Sequence, residues 1–454
     1  MEYSIRQVEL NHMNQGLIRA VKDTLGIFRD AVRCLVEIIS AEWDSLSGLN
    51  SRKQLTAVER LVHTTKDNRA VYPEFDQKFY KFPSYYRRSA VHAALGIVSS
   101  YRTRKAVWDK ERHAAISSGK KFRKKPPVLN PDTASFPSMY RDAMYSMDGP
   151  QILLKLYIRN TWDWVEVSAA SRDIRSLEHA VSEGASVSSP KMCIRNRKVY
   201  LQFPVSFPCA EFPDTPPENQ RILGVDLGVN NGAVCSVVDA SGTIHKRIFD
   251  PFSSERDRIF HMLNRLRRLS RMSGKEQRLS AFYSKLDGLK NNYTKQLASW
   301  IVRQAVQCGV YGIAMEYLGR MKPHGKKKDR IHHWCRQRIY ALVRGMALRH
   351  GIRVFLVNPK NTSALAFDGS GPVKRDEHNF SLCTFATGKR YHCDLGASYN
   401  ISARYFIRAF CKSMPETAWS RCVAEVPALA ERTSCTLSNL WKLSRYLHPA
   451  AKAA

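Results

Sequence analysis

The stretch that decides the fold is "ILGVDLGVNNGAVCSVVDASGTIHKRIF", residues 222–249. An apolar run ends on one acidic residue, Asp226. A glycine turn follows, then a second apolar run, the turn "DASG" and a third run. Runs rich in β-branched residues and punctuated by Gly, Asp and Ser read as three strands of a meander. A lone carboxylate at the end of a buried strand has two readings. It binds a catalytic metal, or it belongs to a turn that binds a nucleotide cofactor.

The rest of the chain narrows the choice. It has 454 residues, enough for two or three domains. Its 72 Lys and Arg outnumber 40 Asp and Glu, giving a formal charge of +32. Such self-repulsion points to a polyanionic partner, nucleic acid first. No run of about 18 apolar residues is present, and "MEYSIRQVEL" alternates like a strand rather than a basic-plus-apolar leader, so no membrane partner is expected. The 11 cysteines are scattered singly without any CxxC pair, which fits a reducing cytoplasm rather than a disulfide framework.

Residues 3–10 read as one strand. Leu17, Val21, Leu25, Phe28, Val32, Leu35 and Ile39 recur at helical spacing. A second helix starts at Pro83–Ser84, with Val91, Ala94, Leu95 and Val98 as its stripe. Residues 16–118 therefore form a helical module, broken by "SGKKFRKKPPVLNP". Residues 133–217 carry short strand-like runs, an antiparallel β region that the first strand can join. The helical module then interrupts a β-barrel-like domain. From Arg221 the pattern is α/β: the meander, a basic helical segment over 253–308, the strand "VYGIAMEYL", a helix over 330–350, the strand "IRVFLVNP", a loop over 368–392, and a helix from Asp394. The last forty residues have no readable place.

Asp226 and Glu316 each close or sit within an apolar strand, and Asp394 opens a helix. In an open α/β sheet, strand ends and helix starts converge on one edge. Three carboxylates meeting there repel one another, and divalent cations relieve the repulsion. Two ions about 4 Å apart activate a water and stabilise the leaving oxygen of a phosphodiester. Each acid also has a plainer reading: a turn cap for Asp226, an arginine pair for Glu316, a helix N-cap for Asp394.

These motifs resemble those of RuvC-type nucleases with the RNase H fold. "GVDLGVNNGAV" resembles the first motif, "GIAMEYL" the second and "DLGASYNISARY" the third. In the third, Asp394, Ala397, Asn400 and Ile401 match, whereas Gly396 and Ser398 replace Asn and Ala. Their order is similar to that in transposon-encoded TnpB proteins and the compact type V CRISPR effectors. The resemblance implies an α+β multidomain fold. An antiparallel β-barrel (wedge) with an inserted helical recognition module precedes an α/β RNase H-like RuvC domain. The implied segments are a wedge strand (1–16), the recognition module (17–130), the wedge barrel (131–219), nuclease parts (220–367 and 393–412), a degenerate zinc-ribbon-like lid (368–392) and a tail (413–454).

It also implies an RNA-guided DNA endonuclease of the prokaryotic cytoplasm, associated with the nucleoid, with guide RNA and target double-stranded DNA as partners. Asp226, Glu316 and Asp394 would hold two Mg²⁺ or Mn²⁺ ions. The family's zinc ribbon uses two CxxC pairs. Here Cys383, Cys393, His378 and His392 remain without that spacing, so no zinc is expected and the segment reads as a short metal-free lid.

Three basic runs combine charge with aromatics and are candidates for nucleic-acid contact. They supply Lys120, Lys121, Arg123, Lys124 and Lys125; Lys326, Lys327, Lys328 and Arg330; and Lys389 and Arg390. Tyr85, Tyr86, Arg87 and Arg88 are candidates for touching a DNA motif beside the target, although Tyr86 equally reads as core. Three other functions compete. RNA-guided DNA binding without cutting is disfavoured by the presence of all three acids. An actin-like ATPase or sugar kinase shares the first motif but gives no reason for the charge. A DNA-cutting transposase would need no RNA.

Overall fold

The computed structural model describes residues 2–133, 136–195, 198–228, 232–272, 279–317, 330–379, 381–431 and 433–448, apart from the side chains of Ser270, Met272 and residues 330–335. Two compact units divide the chain. One spans Tyr3–Phe207, and the other takes in Pro208–Ala454 with the first two residues.

The N-terminal unit opens with β1 (Glu2–Asn11), followed by five helices: α1 (Gln15–Ala41), α2 (Trp43–Leu46), α3 (Ser51–Val62), α4 (Glu74–Lys78) and α5 (Ser84–Ser117). Next come β2 (Tyr145–Asp148), β3 (Gln151–Ile158), β4 (Thr161–Ala169), α6 (Ser171–Ser182), β5 (Ser186–Val187), β6 (Lys191–Arg195) and β7 (Lys198–Phe207). The strands form one curled sheet in the order β2-β3-β4-β1-β7-β5, with β6 also on β7. Because β1 sits between β4 and β7, α1–α5 are an insertion in that sheet. Strand β7 alternates strictly between buried and partly exposed residues, as a strand with one face on a core must. The expected stripe of α1 is buried from Val21 to Ile39. Asn14 caps this helix, its Oδ1 accepting from the Leu17 amide at 2.8 Å. Helix α6 was not expected: Ile174, Leu177 and Ala180 supply its buried face inside a region that reads as β.

The C-terminal unit begins with the meander β8 (Arg221–Asp226), β9 (Val234–Asp239) and β10 (Ile244–Phe249). Helices α7 (Ser253–Met272) and α8 (Ser280–Gln307) lead to β11 (Gly312–Glu316), α9 (Arg330–Arg349) and β12 (Arg353–Val357). The strands β13 (Lys374–Arg375), β14 (Leu382–Thr384) and β15 (Arg390–His392) form a small separate sheet. Helices α10 (Cys393–Ser413), α11 (Glu416–Glu425) and α12 (Leu437–Leu447) complete the unit.

The main sheet runs β10-β9-β8-β11-β12. The first three strands are antiparallel, while β8, β11 and β12 are parallel. Odd and even residues of β8 face different cores. Leu223 and Val225 join Leu297, Ile301 and Val343 of α8 and α9. Ile222 joins Tyr399, Ile401 and Phe406 of α10 and Leu440 of α12. The tail without a readable place is thus a packed layer. In α12, Trp441 Nε1 donates to the Gly242 carbonyl at 2.9 Å, and a Cβ on Gly242 would lie 2.4 Å from the indole. Gly242 also has a φ of +84°, so the "DASG" turn requires glycine on two counts.

Candidate functional site

Parallel pairing sends the carboxyl ends of β8 and β11 to one edge. Val225 is in register with Met315, so the next residues, Asp226 and Glu316, fall side by side. Both have the parity of Gly224 and Ala314, the residues facing α10. Helix α10 crosses that face at unusually short range: a Cβ on Gly224 would lie 2.2 Å from Ser402 Oγ and 2.3 Å from the Ser398 carbonyl oxygen. Small residues on both elements make this approach possible. Ser398, where the family motif has Ala, bonds Ser236 Oγ of β9 at 2.9 Å and the Leu395 carbonyl at 2.8 Å, so its hydroxyl is satisfied in the core. One helical turn back from Ser398 is Asp394; two residues on from Gly224 is Asp226. Each step is about 6 Å, which brings the two acids to one level.

The three carboxylates feel one another. Asp226 is 8% exposed. Its pKa is pushed well above the ordinary value, first by burial, then by the charges of Glu316 and Asp394, against the opposing pull of Arg336 and Arg375. Glu316 is raised mainly by burial. The Thr362 hydroxyl, Arg336 and Arg404 favour its charged form, while Asp394 opposes it. Coulomb repulsion reaches further than coordination: among the described residues no three acids, His or Cys converge into a ready metal shell. The acids share an electrostatic neighbourhood, and closing on a cation requires their side chains to draw in. The donor set fits a hard divalent cation, being all carboxylate, largely withdrawn from water and mutually repulsive.

A further layer, not singled out from sequence as functional, holds Glu316. Thr362 Oγ1 donates to Glu316 Oε1 at 2.5 Å. The loop carrying Thr362 is held by α10. Asn400 Nδ2 donates to the carbonyls of Thr362 at 2.9 Å and Leu365 at 3.1 Å, and its Oδ1 accepts from the Leu437 amide at 3.0 Å. Arg404 donates to the carbonyls of Asn358, Lys360 and Cys435. The sequence signal for this layer is Asn400 in the third motif.

The segment 368–392 contains the sheet β13–β15. An aromatic cluster joins it to the core, with Phe367 5.1 Å from Tyr399 and 4.9 Å from Tyr391 between centroids. Burial raises the pKa of both the Cys383 and Cys393 thiols, Cys393 to about 12, and Cys383 Sγ donates to the Tyr391 carbonyl at 3.5 Å. His392 caps α10, accepting from Leu395 N at 3.4 Å, while His378 lies in an exposed turn.

The proposed nucleic-acid residues separate. Tyr86 is fully buried and donates to the Lys155 carbonyl at 2.8 Å, and Arg87 is 8% exposed near Asp76, so neither offers its side chain to a partner. Both leave the contact set, because α5 turns its first buried face through them. Tyr85 is 39% exposed beneath Arg88, whose Nε bonds Glu59 at 3.1 Å. Lys120, Lys121, Arg123, Lys124 and Lys125 are exposed. Lys389 stands over the rings of Phe367 and Tyr391, and Arg390 pairs with Asp376 at 2.9 Å, so both are engaged within the small sheet. Lys326, Lys327, Lys328 and the Arg330 side chain lie outside the described residues. Among the described residues, no helix is long and apolar enough to cross a membrane.

Comparison with known proteins gives three findings. Residues 4–158 match the Aq_aa04 family. No curated protein matches the chain. Among solved structures, the chain is similar to the Cas12f1–sgRNA–target DNA complex, at 13% identity over 85% of this chain and 81% of that one, with a TM-score of 0.46. It is also similar to the mini-RNA-guided endonuclease CRISPR-Cas_phi3, at 10% identity over 91% and 93%, with a TM-score of 0.49. A third is C2c1 of Alicyclobacillus acidoterrestris with single-guide RNA, at 11% identity over 86% and 69%, with a TM-score of 0.41.

Proposed function

We propose that this chain is an RNA-guided DNA endonuclease whose C-terminal unit is a RuvC-type nuclease of the RNase H fold. The observation that carries the reading is that Asp226 and Glu316 end neighbouring parallel strands within electrostatic reach of Asp394, with the pKa values of Asp226 and Glu316 raised by burial and by the neighbouring carboxylates. The strand order β10-β9-β8-β11-β12, antiparallel and then parallel, supports the RNase H assignment. The charge of +32 supports polyanionic partners, here guide RNA and target DNA. The N-terminal sheet with its helical insertion is read as wedge and recognition module, and 368–392 as the lid.

The roles of the chain's own residues follow. Asp226, Glu316 and Asp394 would hold Mg²⁺ or Mn²⁺. Bound there, two such ions supply an activated water and a counter-charge for the leaving oxygen. Thr362 orients Glu316 and favours its ionised form against the effect of burial. Arg336 and Arg375 offset the negative charge of the acids. Gly224 and Ser398 set the distance between Asp226 and Asp394.

The test is DNA cleavage by protein purified with its copurifying RNA, with and without Mg²⁺. The expected result is Mg²⁺-dependent cutting that falls by at least about 10²–10³-fold in Asp226→Asn. Cutting that survives in Asp226→Asn removes the carboxylates from the mechanism. RNA-guided binding without any cutting by the parent leaves a repressor, and RNA-independent ATP hydrolysis revives the kinase-like reading.

A further inference from the structure

The second half of α5 is out of keeping with the first. Tyr86 to Val98 pack into the core, but beyond Val98 the described buried residue is Trp108 alone. Over residues 102–125 there are ten Lys and Arg against two acids, Asp109 and Glu111. Both acids are already engaged, with Lys105 at 2.6 Å and Lys124 at 2.6 Å. A lysine run following such a helix is expected to stay solvated and drift away from it. Here it folds back. Trp108 Nε1 donates to the Lys124 carbonyl at 2.9 Å, and its ring meets Phe122 at 5.5 Å edge-on. Lys105 and Arg112 stand over the same indole at 4.6 and 5.4 Å. The fold therefore holds two like-charged segments side by side around one tryptophan.

The returning chain is fastened to α5 a second time, where the Ser138 amide donates to Ser89 Oγ at 3.0 Å. Between the two fastenings it is drawn toward α1, Asp132 bonding Arg33 Nε at 2.8 Å. A groove of about 640 Å³ opens between helix and chain, within the range that accepts one small ligand or a short stretch of a longer one. Its floor is helical and small, with Ala93, Gly96 and Ser100; Phe136 and Ile97 supply apolar walls; Arg104 and Lys191 supply charge. Among the described residues no carboxylate lines it. The floor residues and Trp108 fall on one stripe of α5, so the groove runs into the pinned cationic strap.

We propose that this stripe of α5 is a track for unpaired nucleic acid: a base enters the groove beside Phe136, and phosphates several nucleotides further along the strand lie on Lys120, Lys121 and Arg123. The inference rests on the nucleic-acid reading above but not on cleavage. A single strand is favoured over a duplex because the groove has room for a base and apolar walls to receive its face, whereas a duplex presents only phosphate to such a surface. Held-together cations are also a reason for a polyanion to bind, since its phosphates relieve the repulsion the fold imposes.

Gly96 allows a clean test. Among the described residues nothing lies within 4 Å of a Cβ there, and the position is helical, so Gly96→Phe fills the groove without disturbing a described packed neighbour. Affinities of the full chain for a labelled 12-nucleotide RNA, a single-stranded DNA and a duplex are measured in EDTA over a range of salt. The expected result is that Gly96→Phe weakens single-strand binding about tenfold, with an unchanged melting temperature and a smaller effect on the duplex. The triple variant Lys120→Ala, Lys121→Ala, Arg123→Ala lowers the slope of log affinity against log salt by about 2 for single strands. Single-strand affinity within twofold of the parent in a folded Gly96→Phe overturns the groove, as does a loss equal for duplex and single strand. An unchanged salt slope in the triple variant overturns the strap. Failure of the parent to cut DNA, with these binding differences intact, removes only the nuclease reading.

Discussion

At the edge of the C-terminal sheet, Asp226 is 8% exposed and lies within electrostatic reach of two further carboxylates. Along the far half of α5, Arg104, Lys110, Arg112 and the lysines of 120–125 face water. Like charges crowd in both places, but one set is withdrawn from solvent and the other is not. Burial makes the acids hungry for a compact cation that fits between side chains. Exposure makes the cations suited to a long, solvated polyanion whose counterions are released on binding. Two placements of charge thus call for two partners of opposite sign and very different size.

The comparison breaks most visibly at Gly224. Its missing Cβ lets α10 approach β8, so Gly224→Ala must move the helix that carries Asp394. We expect a loss of about 3 kcal/mol or more, read as a lowered melting temperature or denaturant midpoint, together with loss of cutting. An unshifted melting temperature would mean that the close approach does not set the edge. A smaller change of opposite sign is expected from Asp226→Asn. The folded pKa of Asp226 lies above its unfolded value, so its contribution to stability is present at low pH and is lost as pH rises through the folded pKa. Near neutrality and without metal, the amide should raise stability by about 1–3 kcal/mol. That gain should shrink as pH falls and the wild-type carboxyl takes up its proton. Thermal melts in EDTA from pH 5 to 8 check the sign. The smallest effect belongs to the exposed set: Lys120→Ala with Lys121→Ala should leave stability within about 0.5 kcal/mol. A large loss there would show these lysines to be structural.

The opening stretch was legible because its information is local. Alternation and turn residues within a few positions fix the meander, and the end of an apolar run fixes where Asp226 sits. The same holds for Glu316 and for the helix that begins beside Asp394. Other features were not local. Tyr85, Tyr86, Arg87 and Arg88 look alike as a basic, aromatic helix start, yet Tyr86 and Arg87 turn into the core and Tyr85 and Arg88 do not. In the last forty residues α12 does repeat Leu437, Leu440 and Leu443 at helical spacing, but the surface they cover, α10, lies elsewhere in the chain and is not local information. Thr362 and Asn400 are ordinary polar residues until a loop and a helix place one against Glu316 and the other against Leu437.

The sequence by itself therefore determined the meander and most of the other elements, the charge and the three acids as candidates. It did so because strand and helix periodicities depend on near neighbours. Only the tertiary structure decided that these acids come within reach of one another, that the tail is a packed layer and that Trp108 folds a lysine run back onto α5. Those outcomes depend on contacts between residues tens to hundreds of positions apart. The packing of Gly224 against Ser398 and Ser402 sets the first of them to within a methyl group.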